Sequence, residues 1–132
     1  MRQTVQQLVS DAKSRIREID AAQLIALHAG GAPVIDVREP AEYAAGHVPG
    51  AVNIPRGVLE FEVDGHPAVN PLRDPALPHR EQPVVLYCRS GGRSALAAEA
   101  LQRLGFAEPL SLAGGFAAWC DQAHAVEGGN GT

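Results

Sequence analysis

The residues best suited to chemistry are seven in a row: Cys88, Arg89, Ser90, Gly91, Gly92, Arg93 and Ser94. Val84, Val85, Leu86 and Tyr87 precede them with no polar interruption, the pattern of a strand buried on both faces. From residue 94 to 104 the apolar positions fall at helical spacing, with Ala97, Leu101 and Leu104 on one side and Gly105 as the stop. The cysteine is therefore expected at a tight turn between a strand and a helix. Gly91 and Gly92 permit backbone angles closed to other residues, so successive N–H groups can turn inward and make a concavity for an anion. The helix start adds unpaired donors and a partial positive charge. Arg89 and Arg93 add two permanent charges. A thiol in such surroundings ionises more readily than usual, and the thiolate is the nucleophile. Ser94 either caps the helix or donates a hydrogen bond toward the sulfur.

The elements that must hold this loop alternate in type. Residues 3–14 are polar and helix-friendly, with Val5, Leu8, Val9, Ala12 and Ile16 on one narrow stripe. That stripe suits a leading helix packed on the domain; a partner contact is the competing reading. A short extended stretch follows at 17–20. Asp20 then stands as an N-cap with Gln23 three residues on, and Leu24, Ile25 and Leu27 supply the inner side of a helix that Gly30 and Gly31 end. Residues 34–37 and 51–54 read as strands, and Pro40 opens a short helix over 39–45. Residues 57–63 suit a short helix or turn, and the proline-rich stretch 64–83 an irregular exposed segment. A last strand at 110–112 leads through Gly114 and Gly115 into a closing helix with Phe116 and Trp119. Short strands alternating with helices predict an α/β domain, a parallel sheet covered on both faces. In such sheets ligands bind beyond the carboxyl ends of the strands, which is where Cys88 falls.

The 132 residues suit one domain. The expected division is a helical extension over 1–15, the domain over 16–124 and a flexible tail over 125–132. A net charge of -4 with no basic stripe argues against nucleic-acid binding, and no segment has the length and apolarity of a membrane span. Two cysteines make no disulfide framework and fit a reducing, cytoplasmic setting. The five histidines are never paired at ligand spacing, so neither a metal nor another cofactor is expected. A monomer and a homodimer are equally compatible with the chain.

Three segments resemble the rhodanese family. VIDVREPAEYAAGHVPGAVNIP, residues 34–55, is similar to its amino-terminal signature. CRSGGRS, residues 88–94, is similar to its active-site loop, and GFxxPLSLAGGFAAW, residues 105–119, to its carboxyl-terminal signature. The resemblance implies a rhodanese fold and a sulfurtransferase in which Cys88 carries sulfur as a persulfide. The sulfur would come from thiosulfate or a related donor and pass to a thiol or cyanide, with a protein in either role as the alternative. A persulfide relay or sulfur-carrier module is the second reading. Related phosphatases and arsenate reductases use a loop one residue longer than the six from Cys88 to Arg93, which ranks that chemistry third. Asp36 is expected as a buried structural carboxylate. Arg38, similar to the arginine of the signature, would hold Asp36, hold Glu42 or line the pocket. His47 is read as a hydrogen-bonded turn residue, no general base is assigned, and Cys120 stays outside the mechanism.

Overall fold

The computed structural model describes residues 2–129. Five strands form one parallel sheet: β1 (Arg17–Ile19), β2 (Val34–Asp36), β3 (Val52–Asn53), β4 (Pro83–Tyr87) and β5 (Glu108–Leu112), in the order β1-β5-β4-β2-β3. Six helices accompany them: α1 (Val5–Arg15), α2 (Ala21–Ala29), α3 (Pro40–Ala45), α4 (Leu59–Glu62), α5 (Gly92–Leu104) and α6 (Gly115–Asp121). Short 3-10 turns occur at Arg56–Val58, Val63–Gly65 and Pro78–Glu81.

The unbroken apolar run of β4 has the expected explanation. Val84 and Leu86 enter one core with Cys88, the α5 residues Ala97, Ala98 and Leu101, and Leu59 of α4. Val85 and Tyr87 enter the other, with Leu24 of α2 and Trp119 of α6. Alternation across the pleat sends successive residues to opposite faces, and both faces are covered. The chain runs from β2 outward to β3, then returns to β4 and continues to β5 on the far side. The topological switch therefore lies between β2 and β4, and the loop after β4 opens at it.

Local chemistry sets the helix starts. Thr4 and Asp20 each accept the N–H of the residue three on, and Gln7 and Gln23 reach back to the cap N–H, closing two capping boxes. Pro40 occupies the first turn of α3, where its missing N–H costs nothing.

Several details depart from expectation. Helix α5 begins at Gly92 rather than 94, which puts Ser94 inside the first turn and leaves Gly91 as the cap. Strand β5 starts at Glu108 and includes Pro109. That proline sits one residue before the position where β1 joins, Arg17 opposite Leu110, so one flank has no strand to receive an N–H. The stripe on α1 is only half used: Ala12 is buried, whereas Val5 and Leu8 stay exposed. The contact is nonetheless with the domain, through an Arg15–Glu99 ion pair and a hydrogen bond from Gln102 Nε2 to the Arg15 carbonyl. Residues 125–129 do not hang free. Glu127 exchanges both backbone hydrogen bonds with His47, and the Trp119 indole donates to the Ala125 carbonyl at 2.7 Å. A paired backbone and a satisfied indole outweigh the polar, glycine-rich composition that suggested a flexible tail. Residues 130–132 of that tail lie outside the described residues. Among the described residues, no helix is long and apolar enough to cross a membrane.

Candidate active site

Cys88 follows β4 directly, and its side chain ends in the middle of the loop. The Gly91 N–H donates to Sγ at 3.1 Å and the Ser94 N–H at 3.4 Å. The Ser94 hydroxyl lies 3.6 Å from Sγ. That hydroxyl also sits 2.8 Å from the Ser111 hydroxyl and 3.3 Å from the Gly91 carbonyl. Since a hydroxyl hydrogen rotates to suit its neighbours, Ser94 accepts from a thiol and donates to a thiolate.

The electrostatics follow from these contacts. Burial is the largest influence on Cys88 and pushes its pKa up. The Ser94 hydroxyl and the N–H groups of Ser94, Gly91 and Ser90 act the other way and together prevail, so the thiol ionises below its ordinary range. The residue is only 1% exposed, at the bottom of the cradle. Burial is tolerable here because the ring of amides replaces water around the sulfur.

The loop holds its shape from below. Two of its carbonyls are taken up by α6: the Phe116 N–H donates to the Cys88 carbonyl at 2.8 Å and the Ala117 N–H to the Arg89 carbonyl at 2.9 Å. Gly91 adopts φ +111, the left-handed turn that swings its N–H inward. Gly115 was read only as a turn, yet the structure makes it the floor of the site. It adopts φ +58, and a Cβ there would lie 2.5 Å from the Cys88 carbonyl oxygen and 2.7 Å from the carbonyl carbon and oxygen of Arg89. Gly115→Ala is therefore expected to cost about 2 kcal/mol or more of stability and to disorder the cradle. Gly57→Ala is the control, since nothing lies within 4 Å of a Cβ there. Denaturation midpoints and thiol titration of the two variants check the contrast.

The charged residues divide. Arg89 and Ser90 are exposed, and the Arg89 side chain forms no ion pair among the described residues. Arg93, in the first turn of α5, is held by both oxygens of Glu42 at 2.8 and 3.1 Å. This contact, first of all, holds the Glu42 carboxyl down at about 2; Arg93 is raised in turn, chiefly by Glu42, with a smaller contribution from the Cys88 thiolate. Of the three roles open to Arg38, the structure selects Asp36. Arg38 Nη2 lies 2.7 Å and Nε 3.0 Å from the carboxylate, and the Arg38 N–H donates to the same group at 2.9 Å. Its guanidinium is covered by the Phe116 ring at 4.4 Å, so it does not line the mouth of the loop. His47 is the expected turn residue: Nδ1 is 2.9 Å from the Tyr43 carbonyl, and the ring stacks on Tyr43. Cys120 is an exposed free thiol. Sequence reasoning named Glu42 only as a candidate partner for Arg38; its pairing with Arg93 joins residues 51 apart and has no local signal.

A parallel α/β sheet with a cysteine cradled by amides at its switch point defines a class of thiol-bearing anion sites. The model of the rhodanese-like domain matches residues 20–122, and the chain belongs to that family. Thiosulfate sulfurtransferase GlpE of Pseudomonas entomophila is 35% identical over 106 residues, 80% of this chain and 86% of the relative. A sulfurtransferase of Allochromatium vinosum is likewise 35% identical, over 79% of this chain and 88% of its own. Among solved structures, the human single-domain sulfurtransferase TSTD1 superposes with a TM-score of 0.67 and 32% identity, over 80% of this chain and 96% of its own. A Rhodopseudomonas palustris protein of unknown function, described as a possible tyrosine phosphatase, superposes with a TM-score of 0.77 and 32% identity over 96% of each chain.

Proposed function

We propose that the protein is a sulfurtransferase that carries sulfane sulfur as a persulfide on Cys88. The observation that carries this reading is the pair of N–H groups, from Gly91 and Ser94, aimed at a single sulfur atom. The names of the sulfurtransferase relatives point the same way.

In the first half-reaction the Cys88 thiolate attacks the outer sulfur of thiosulfate or a related donor. A sulfur–sulfur bond forms to Cys88 as the one within the donor breaks. The donor's remainder leaves with the bonding electron pair, as sulfite when thiosulfate is used. The terminal sulfur of the persulfide is again an anion, and the same amides that held the thiolate stabilise it. In the second half-reaction a thiolate or cyanide attacks that terminal sulfur, and Cys88 leaves as the thiolate. Neither step needs a general base once Cys88 is ionised, the form that the amide and hydroxyl donors around the sulfur favour. Arg89, exposed and without an ion pair among the described residues, supplies a cation for the sulfonate of an incoming anion. Ser90, Gly91, Gly92 and Ser94 shape the cradle, Arg93 forms its rim, and Asp36 and Arg38 support it from behind.

The test is intact mass after incubation with thiosulfate. Gain of one sulfur atom, removed again by cyanide, is the expected result; an unchanged mass with every sulfane donor tried would overturn the reading. Turnover of an aryl phosphate or arsenate in place of sulfur loading would favour oxyanion chemistry.

The Ser94 hydroxyl gives a separate prediction. Ser94→Ala removes a donor to the thiolate, so the Cys88 pKa rises and the acid limb of the loading rate moves to higher pH. Losing one hydrogen bond to a charged group slows loading near pH 7 by about tenfold at most. Thiolate absorbance and the pH profile of loading read both effects.

A further inference from the structure

We propose that Glu42 is a specificity-determining residue that disfavours thiosulfate relative to alkyl persulfides, by holding Arg93 at both nitrogens so that a sulfonate must compete with an internal carboxylate. The inference rests on Cys88 being the sulfur carrier.

The two donor classes differ where Arg93 would matter. Each presents an outer sulfur to the cradle. Thiosulfate also carries a charged sulfonate that must find a cation at the rim, whereas a simple alkyl persulfide has an uncharged body. Two arginines sit on or beside the loop. Arg93 stands in the first turn of α5, directly before Ser94, whose N–H reaches the sulfur. It is already satisfied: the contact with Glu42 is bidentate, at 2.8 and 3.1 Å, the geometry in which guanidinium and carboxylate bind most strongly. Glu42 is not free to swing away, because its Oε1 also accepts the Glu39 N–H at 3.0 Å, closing the capping box of α3. With its carboxyl held near 2, Glu42 stays ionised at any physiological pH. The competition is therefore permanent, and a sulfonate is left to the other cations by the loop: Arg89, and Lys13, whose Nζ lies 3.8 Å from where a Cβ on Gly91 would stand.

Glu42→Gln separates charge from structure. Glutamine keeps a side-chain carbonyl for the Glu39 N–H, as Gln7 and Gln23 do at the same position of α1 and α2. Steady-state transfer by the full chain is compared with thiosulfate and with a short alkyl persulfide, after circular dichroism establishes that the variant is folded. The expected result is a KM for thiosulfate lowered about tenfold with kcat unchanged, and a much smaller change with the persulfide. Glu42→Asp keeps the charge and should retain the wild-type donor ratio. A thiosulfate-to-persulfide ratio of kcat/KM that Glu42→Gln leaves unchanged, or that Glu42→Asp raises equally, overturns the proposal while leaving the sulfur carrier intact. Failure of the wild type to load sulfur from either donor removes the carrier reading itself, and this inference with it.

Discussion

Cys88→Ser is expected to fold normally and to take up no sulfur, lowering transfer by at least about a thousandfold. Both halves of that expectation come from the same contacts. Serine replaces the sulfur with a smaller oxygen inside a ring of donors, the Gly91 and Ser94 N–H groups and the Ser94 hydroxyl. A hydroxyl there finds partners at once, so the change in stability stays within about 1 kcal/mol. Chemistry does not survive the exchange. A serine hydroxyl in this cradle is not ionised at neutral pH, and among the described residues the side chain at 88 has hydrogen-bond contacts only with the Ser90, Gly91 and Ser94 N–H groups and the Ser94 hydroxyl, none of them a base. Intact mass after thiosulfate treatment reads the loss, and thermal denaturation reads the fold. The companion variant is Cys120→Ser. Cys120 is the chain's other thiol and is exposed on α6, so it is the one alternative seat for a labile sulfur. Loading that survives Cys88→Ser and disappears with Cys120→Ser would move the carrier to α6.

What could be read from the chain alone depended on whether a feature was local. The apolar run at 84–87, the capping residue Asp20 and the glycines of the loop each act within a few residues, and the strand, helix and cradle they indicate are present. The helix start was misplaced because Gly92 is a poor helix former by propensity, and only the packing of α5 carries the helix back to it. That shift decides the role of Ser94: within the first turn its hydroxyl reaches the sulfur and Ser111 instead of capping. The features that escaped sequence reasoning all join distant segments. Gly115 matters because two loop carbonyls pass over it, and Glu42 because α3 lies beside the start of α5. The ring of Phe116, legible in the sequence only as part of a closing helix, roofs the Arg38 guanidinium. A glycine pair before a helix signals a turn; nothing in the pair says which backbone will approach it.

Asp36→Ala is the substitution expected to cost the most stability. Asp36 is fully buried at the end of β2 and accepts from Arg38 through Nε, Nη2 and the backbone N–H. Arg38 is itself 5% exposed. Removing the carboxylate leaves a guanidinium enclosed by protein, with the Gly46 carbonyl at 2.7 Å and the faces of Phe116 and Tyr87 as its remaining partners. Breaking one side of a buried pair costs about 3–5 kcal/mol, a large share of the ~5–15 kcal/mol that holds a domain together. If the cost is the stranded charge, removing that charge as well should recover part of it. Asp36→Ala combined with Arg38→Met should therefore be more stable than Asp36→Ala alone, by about 1–3 kcal/mol. Denaturant midpoints of the wild type, the two single variants and the double variant decide the matter, and a double variant less stable than Asp36→Ala would refute the stranded-charge account. The consequence reaches the sulfur through the sheet. Asp36 lies opposite Tyr87 in the parallel pairing, and the next residue, Val37, donates its N–H to the Tyr87 carbonyl at 2.9 Å. Cys88 follows immediately. Loosening the end of β2 thus frees the strand end from which the cradle is built, and the fraction of Cys88 able to load sulfur should fall in step with the folded fraction.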